Sequence, residues 1–190
     1  MYAVCTLVHV SLLTVAVIAQ VPEKGKCPDV EVQKDFDPTK YFGKWYEIAK
    51  FYTSFETGQK CNTATYTPKV NGHFTVYNTG LDSSDKEVNA TGDAYSPDEN
   101  EKAKIKVQFS EKSPYADYWV LDTDYETYTL IYSCINILDV THLDFSWILS
   151  RKPTLDPEIK ARLFQKVESY GIKSKNYKDD DQLSCPWNIY

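Results

Sequence analysis

The chain is poor in the side chains that most enzymes depend on. It holds three histidines, one methionine and seven glycines in 190 residues. No Gly-x-Ser-x-Gly, His-Glu-x-x-His or glycine-rich phosphate loop occurs, which argues against an α/β-hydrolase, a zinc peptidase or a nucleotide-binding enzyme. Cys-x-x-Cys is absent as well, so zinc and redox readings have little support. Basic residues do not cluster and the net charge is -6, a poor match for nucleic acid. The only long apolar run, from about Val10 to Ala19, is short for a membrane span and is followed by the polar stretch 20–26. With Val17 and Ala19 at the spacing a signal peptidase reads, residues 1–19 are expected to be a signal peptide and residues 20–190 a single exported domain.

Removing that leader removes Cys5 and His9. The cysteines left are Cys27, Cys61, Cys134 and Cys185, an even set whose wide spacing in an exported chain implies two disulfides with three possible connectivities. The remaining histidines are His73 and His142. His142 and Asp144 share a strand parity and would be neighbours; they are expected on the surface rather than in a catalytic pair. No catalytic or metal-ligating constellation is expected, so binding ranks above catalysis. Asn89-Ala90-Thr91 is an N-glycosylation acceptor triplet.

What the chain does have is aromatic and β-branched residues in short runs between turn signals. From Lys44 to Ser150 these delimit about eight strands, each placed to pair with the next, as in an up-and-down antiparallel sheet. The clearest run is Ala103 to Phe109, with Ala103, Ile105, Val107 and Phe109 on one face and Lys104, Lys106 and Gln108 on the other. The same parity gives inward sets of Ala64 and Tyr66, of Phe74, Val76 and Asn78, and of Phe145, Trp147 and Leu149. Tyrosine, asparagine and small residues on these faces suit an enclosed cavity better than a solid core. A helix should open at Asp156-Pro157, carry Ile159, Leu163, Phe164, Val167 and Tyr170 on one stripe, and close at Gly171.

The sheet is introduced by Asp37-Pro38, a capping residue followed by one preset for a first helical turn. Gly43-Lys44-Trp45 follows, with Trp45 expected inward and Tyr46 outward. Glu47 shares the Trp45 face, either as an inward polar group or as part of the closed end's polar network. Together with Thr123-Asp124-Tyr125 between two late strands and Arg151 ending the last one, this stretch resembles the lipocalin family. The likeness is nearest to its apolipoprotein D-like branch and the arthropod bilin- and carotenoid-binding members. It extends over Gly25 to Pro28, Tyr41 to Ile48, Phe55 to Gly58, Tyr118 to Tyr125, Tyr132 to Cys134, Asp144 to Leu149 and Ser184 to Pro186.

The resemblance implies an all-β fold, an eight-stranded up-and-down antiparallel barrel with one C-terminal α-helix packed outside. It further implies bridges Cys27–Cys134 and Cys61–Cys185, and Arg151 lying across Trp45 at the closed end, with Gly43, Thr123, Asp124 and Tyr125 completing that closure. A secreted carrier is expected, with a fatty acid, steroid, retinoid-like lipid or tetrapyrrole in a cup lined by Ala64, Tyr66, Val76, Asn78, Val107, Phe109, Phe145, Trp147 and Leu149. A coloration protein holding biliverdin or a carotenoid is one alternative, and a thiol-dependent lipocalin enzyme another. Phe51, Tyr52 and Phe55 are expected on the first loop at the open mouth, where they would touch a membrane or lipoprotein surface or fold back as a lid.

Overall fold

The computed structural model describes residues 21–186. Its single sheet has ten strands: β1 (Val21–Lys24), β2 (Gly43–Phe51), β3 (Lys60–Pro68), β4 (His73–Leu81), β5 (Glu87–Tyr95), β6 (Lys104–Gln108), β7 (Ala116–Thr123), β8 (Tyr128–Ile137), β9 (Thr141–Ser150) and β10 (Tyr177–Asp179). Each of β2 to β8 pairs antiparallel with the next, and β9 pairs back onto β2, so eight strands close into a barrel. Closure removes the two free edges that an open sheet would present. The other two strands extend the wall: β1 lies on β9, and β10 lies on β2. Both are short and polar, which is why the expected eight strands did not include them.

Two apolar cores result, one on each side of the wall. Inside the barrel, Trp45, Tyr66, Phe74, Val76, Ala94, Ile105, Val107, Val120, Ile131 and Leu149 pack together. Outside, α2 (Pro157–Ser169) lays Leu163 and Val167 against Leu121, Leu130, Tyr132 and Ile148. β8 and β9 are therefore buried on both faces along much of their length. Asp156 caps α2, accepting from the Glu158 amide at 2.7 Å, and Gly171 follows its last turn at φ 81°. α1 (Pro38–Tyr41) has the same start: Asp37 accepts from the Thr39 amide at 2.9 Å and Pro38 is its first residue.

The disulfides are Cys27–Cys134 and Cys61–Cys185, spanning 107 and 124 residues of chain. Each ties a terminal segment to the wall, the first beside β1 and the second beside β10. The tail also fills a gap. β2 and β3 pair only from Gly43–Tyr66 to Tyr46–Thr63 and then diverge. Residues 177–182 enter between them: β10 pairs with 49–51, the Asp180 amide donates to Ile48 O at 3.0 Å, and the Cys61 amide donates to Asp181 O at 3.0 Å. Gln182 completes the seam, its side-chain amide donating to Glu47 O at 3.0 Å and to Asn62 O at 2.7 Å.

Candidate functional site, a barrel closed at one end

The closed end is built from backbone carbonyls around one cation. The Arg151 guanidinium lies 3.7 Å from the Trp45 ring centroid and donates to Tyr125 O (2.9 Å), Lys44 O (3.0 Å) and Lys40 O (3.0 Å). Trp45 donates its indole N–H to Tyr41 O at 2.9 Å, so the ring is pinned on its edge as well as its face. Gly43 sits at φ 97°, a conformation an L side chain rarely adopts, and its α-carbon faces the Arg151 guanidinium. The Thr123-Asp124-Tyr125 turn is fixed by its own side chains. Asp124 accepts from the amides of Glu126 (3.1 Å), Thr127 (2.7 Å) and Tyr128 (3.0 Å). Burial alone would raise that carboxyl, but the amides outweigh it and hold it below the usual carboxylate range. The Tyr125 hydroxyl accepts from the Asp37 amide at 2.9 Å, joining the turn to α1.

Above Trp45 lies a tyrosine floor. The Tyr66 and Tyr118 hydroxyls meet at 2.5 Å, and the Tyr41 hydroxyl lies 3.3 Å from Tyr118 and 3.2 Å from the Thr129 hydroxyl. Burial pushes the Tyr41 phenol up to about 12 and drives Tyr66 and Tyr118 well above their ordinary value. Of these three, only Tyr66 was expected to line the cup. Tyr118 alternates with the half-buried Trp119 ahead of the fully buried Val120, so parity alone would have found it.

The expected lining residues occupy graded depths. Ala64, Tyr66, Val76, Val107, Phe145 and Leu149 are buried, Asn78 and Trp147 are half-buried, and Phe109 is 45% exposed. They share one surface. Asn78 is paired in register with Ala64, Val76 with Tyr66, and Leu149 with Glu47. Phe109 lies just past the end of β6 at the mouth, its ring over the inner side of Gly92, where an added methyl would come within 2.9 Å of it. The Phe145 and Trp147 rings stack at 6.3 Å and 13°. Asn78 Oδ1 is buried with no hydrogen-bond partner among the described residues, an acceptor on the inner face of the wall. β5 outruns β6, so residues 87–91 pair only with β4.

Two expectations about polar and aromatic residues are corrected. Phe51 is not on the mouth loop; it ends β2, fully buried outside the barrel with its ring 4.6 Å from Tyr177. A bulge between Glu47 and Ala49 shifts the strand by one residue, so Phe51 faces the outer core instead of the mouth. Tyr52 and Phe55 are exposed, by 40% and 59%, as expected of mouth-loop residues. His142 and Asp144 are not on the surface: they are 7% and 2% exposed beneath β1, with His142 bonded to Gly25 O at 2.9 Å and Asp144 accepting from the Tyr132 hydroxyl at 2.5 Å. Pairing with β1 covers them. Cys134 joins them in a cluster of possible metal-ligand type, but its sulfur belongs to the Cys27 disulfide, which leaves two groups. All four described cysteines are bridged, so a thiol-dependent enzyme finds no thiol among the described residues.

Sequence reasoning missed the polar side of the mouth. The Lys50 ammonium lies 2.7 Å from Glu47 and 3.1 Å from Glu56, a carboxylate carried by the turn Ser54–Glu56 after β2. It also missed the rim of the β8–β9 hairpin, where Leu138 and Val140 are 89% and 67% exposed. Two surface depressions lie elsewhere, at the end of α2 and between Ile48, Pro153 and the tail, and neither opens into the barrel.

With this geometry in place, comparison with known proteins settles the family. The lipocalin-like domain matches residues 36–182. The chain belongs to the lipocalin family. It is 43% identical over 162 residues to apolipoprotein D of Mus musculus, covering 85% of each chain. It is 32% identical over 191 residues to the bilin-binding protein of Pieris brassicae, covering 93% of this chain and 95% of that one. Among solved structures it is similar to insecticyanin from the tobacco hornworm Manduca sexta, with a TM-score of 0.75, 28% identity, and 85% and 89% of the two chains covered. This lipocalin's closed end, outer helix and two disulfides agree with that kinship. Among the described residues no helix is long and apolar enough to cross a membrane.

Proposed function

We infer that this lipocalin is a secreted carrier that holds a small hydrophobic molecule in the upper half of its barrel and transports it without catalysis. The observation that carries the reading is the inner wall itself. Val76, Val107, Phe145 and Leu149 make the inner face apolar above the tyrosine floor, Trp147 and Phe109 are more open towards the mouth, and Asn78 carries an acceptor with no partner among the described residues. Such walls stabilise a ligand by about 25 cal/mol per Å² of apolar surface buried, while a lone acceptor orients a hydroxyl or N–H donor. A fatty acid, steroid, retinoid-like lipid or linear tetrapyrrole fits that chemistry. Two disulfides suit an oxidising compartment, consistent with residues 1–19 being a leader and 20–190 one domain. Asn89 and Thr91 are exposed on β5, so the acceptor triplet is accessible to glycosylation. Tyr52, Phe55, Leu138 and Val140 would let the rim touch a lipid or lipoprotein surface during loading.

Similarity to a bilin-binding protein favours a second reading, in which the cargo is biliverdin or a carotenoid and the protein gives colour. Purification from native tissue separates the two. Visible absorbance that travels with the protein identifies a pigment carrier, and a colourless excess of native mass identifies a lipid or steroid carrier. In either case titration of the delipidated protein should quench Trp147 saturably at one ligand per chain, and Trp147→Phe should remove most of the quenching. No excess mass and no saturable quenching by any apolar compound would refute carriage.

A further inference from the structure

Residues three apart on a regular strand face opposite sides, yet Glu47 and Lys50 both face inward. The bulge between Glu47 and Ala49 is the cause: Glu47 is in register with the inward Leu149, and Lys50 with the inward Trp147. Their charges meet at 2.7 Å with side chains only 6% and 11% exposed. Into this pair reaches Glu56 from the mouth turn. Its carboxylate lies 3.1 Å from the Lys50 ammonium, accepts from the Thr53 hydroxyl at 2.8 Å, and receives the Trp147 indole N–H at 3.4 Å. Glu56 is thus held by two donors that belong to the inner wall, one cationic and one on the ring expected to contact cargo. One cation lies against two carboxylates in a nearly dry site, with the half-buried Asp180 carboxyl also near enough to act on it, an arrangement that costs desolvation.

We propose that Glu56 occupies the head-group site of the cargo, and that an amphiphile carrying a carboxylate displaces it from Lys50 and the Trp147 indole N–H, releasing the 54–56 turn as it enters. The proposal rests on the carrier reading and specifies the ligand class within it. A carboxylate is the group that matches because a carboxylate already sits there, 3.1 Å from an ammonium and 3.4 Å from an indole N–H. Glu47, 2.7 Å from the Lys50 ammonium, keeps it in place after the exchange. Thr53, 2% exposed at the base of the turn, is the fixed point about which residues 54–56 would lift.

The test uses a matched pair of probes, retinoic acid and retinol, which share a tail and differ in the head group, titrated into the full-length delipidated protein by Trp147 quenching. Glu56→Ala should raise the ratio of acid to alcohol affinity about tenfold by removing the internal competitor, and Lys50→Met should lower it about tenfold. In the wild-type protein, hydrogen exchange of residues 52–59 should speed up on binding retinoic acid and stay unchanged or slow down on binding retinol. An affinity ratio that neither substitution moves, or exchange that responds equally to both probes, overturns the displaced-carboxylate proposal while leaving the carrier reading intact. Failure of both probes to quench the wild type counts against the carrier reading and takes this inference with it. The exchange measurement needs no variant, so poor folding of either substituted protein does not shelter the proposal.

Discussion

Replacing Arg151 by methionine isolates what closes the barrel, because methionine keeps an unbranched apolar stem and deletes the charge and the donors. The guanidinium makes three hydrogen bonds of 2.9 to 3.0 Å to carbonyls of Tyr125, Lys44 and Lys40. Bonds from a charged donor contribute roughly 1.5 to 3 kcal/mol each when buried. Lys40 and Lys44 are exposed, so water can take over their carbonyls and about 1 kcal/mol per bond is the better figure there. The stack on Trp45, at 3.7 Å from the ring centroid, adds about 0.5 to 2 kcal/mol. The sum is about 4 to 7 kcal/mol, a large fraction of the roughly 5 to 15 kcal/mol that holds a domain folded. Urea unfolding with disulfides intact should show the midpoint falling at unchanged slope. Arg162→Met is the control: its guanidinium stacks on Tyr128 at 4.8 Å but its side chain is 48% exposed, and it should cost under about 1 kcal/mol. Arg151→Met within about 1 kcal/mol of wild type would mean that the apolar packing of Trp45 alone seals the end, and the carbonyl-cluster account would be wrong.

Three further outcomes are expected. The buried phenols of Tyr41, Tyr66 and Tyr118 should make the protein alkali-sensitive. A phenol whose folded pKa is raised stabilises the fold fully below its unfolded value near 10 and loses that contribution as pH climbs; for Tyr41 the window runs from about 10 to about 12 and the loss is about 3 kcal/mol, so phenolate absorbance should rise together with unfolding rather than ahead of it. Smooth ionisation of all tyrosines in a still-folded protein would contradict the buried floor. Phe51→Ala should destabilise by about 3 to 5 kcal/mol, whereas Phe55→Ala should leave stability within about 0.5 kcal/mol and weaken binding to phospholipid vesicles; the reverse pattern would return Phe51 to the mouth. Gly92→Ala would place a methyl 2.9 Å from both Gln108 O and the Phe109 ring; the ring can swing but the carbonyl cannot, so a cost of about 1 to 3 kcal/mol with weakened ligand quenching is expected, and an unchanged affinity would remove Phe109 from the cup.

The parts of this lipocalin that follow simple periodicity were legible from its residues. Ile105 and Val107 face inward because a strand alternates, and α2 begins at Asp156 because a capped, proline-led turn has few other uses. The floor was half legible: Tyr66 fell on an inward set, while Tyr41, on a four-residue helix, and Tyr118 did not enter any set. β1 and β10 were illegible for a different reason. Each is held by pairing with a distant strand rather than by its own pattern, and Tyr177–Asp179 has one buried side chain in three. The burial of His142 and Asp144 follows from that same omission, since β1 is the element that covers them.

The bulge in β2 shows how one backbone irregularity decides what the mouth can recognise. Without it, strict alternation would send Lys50 to the outer face and Phe51 inward, and the upper wall would keep the Glu47 carboxyl but lose its cation. With it, Phe51 joins Tyr177 and the outer core, while Lys50 turns inward beside Glu47. The shift needs something to hold the diverging wall together, because β2 pairs with β3 only as far as Tyr46. The tail supplies it: β10 pairs with the shifted residues, Gln182 bonds the carbonyls of Glu47 and Asn62, and Cys185 anchors the arrangement to Cys61. The Cys61–Cys185 bridge thus fastens the tail into the seam beside the bulged strand that carries Lys50.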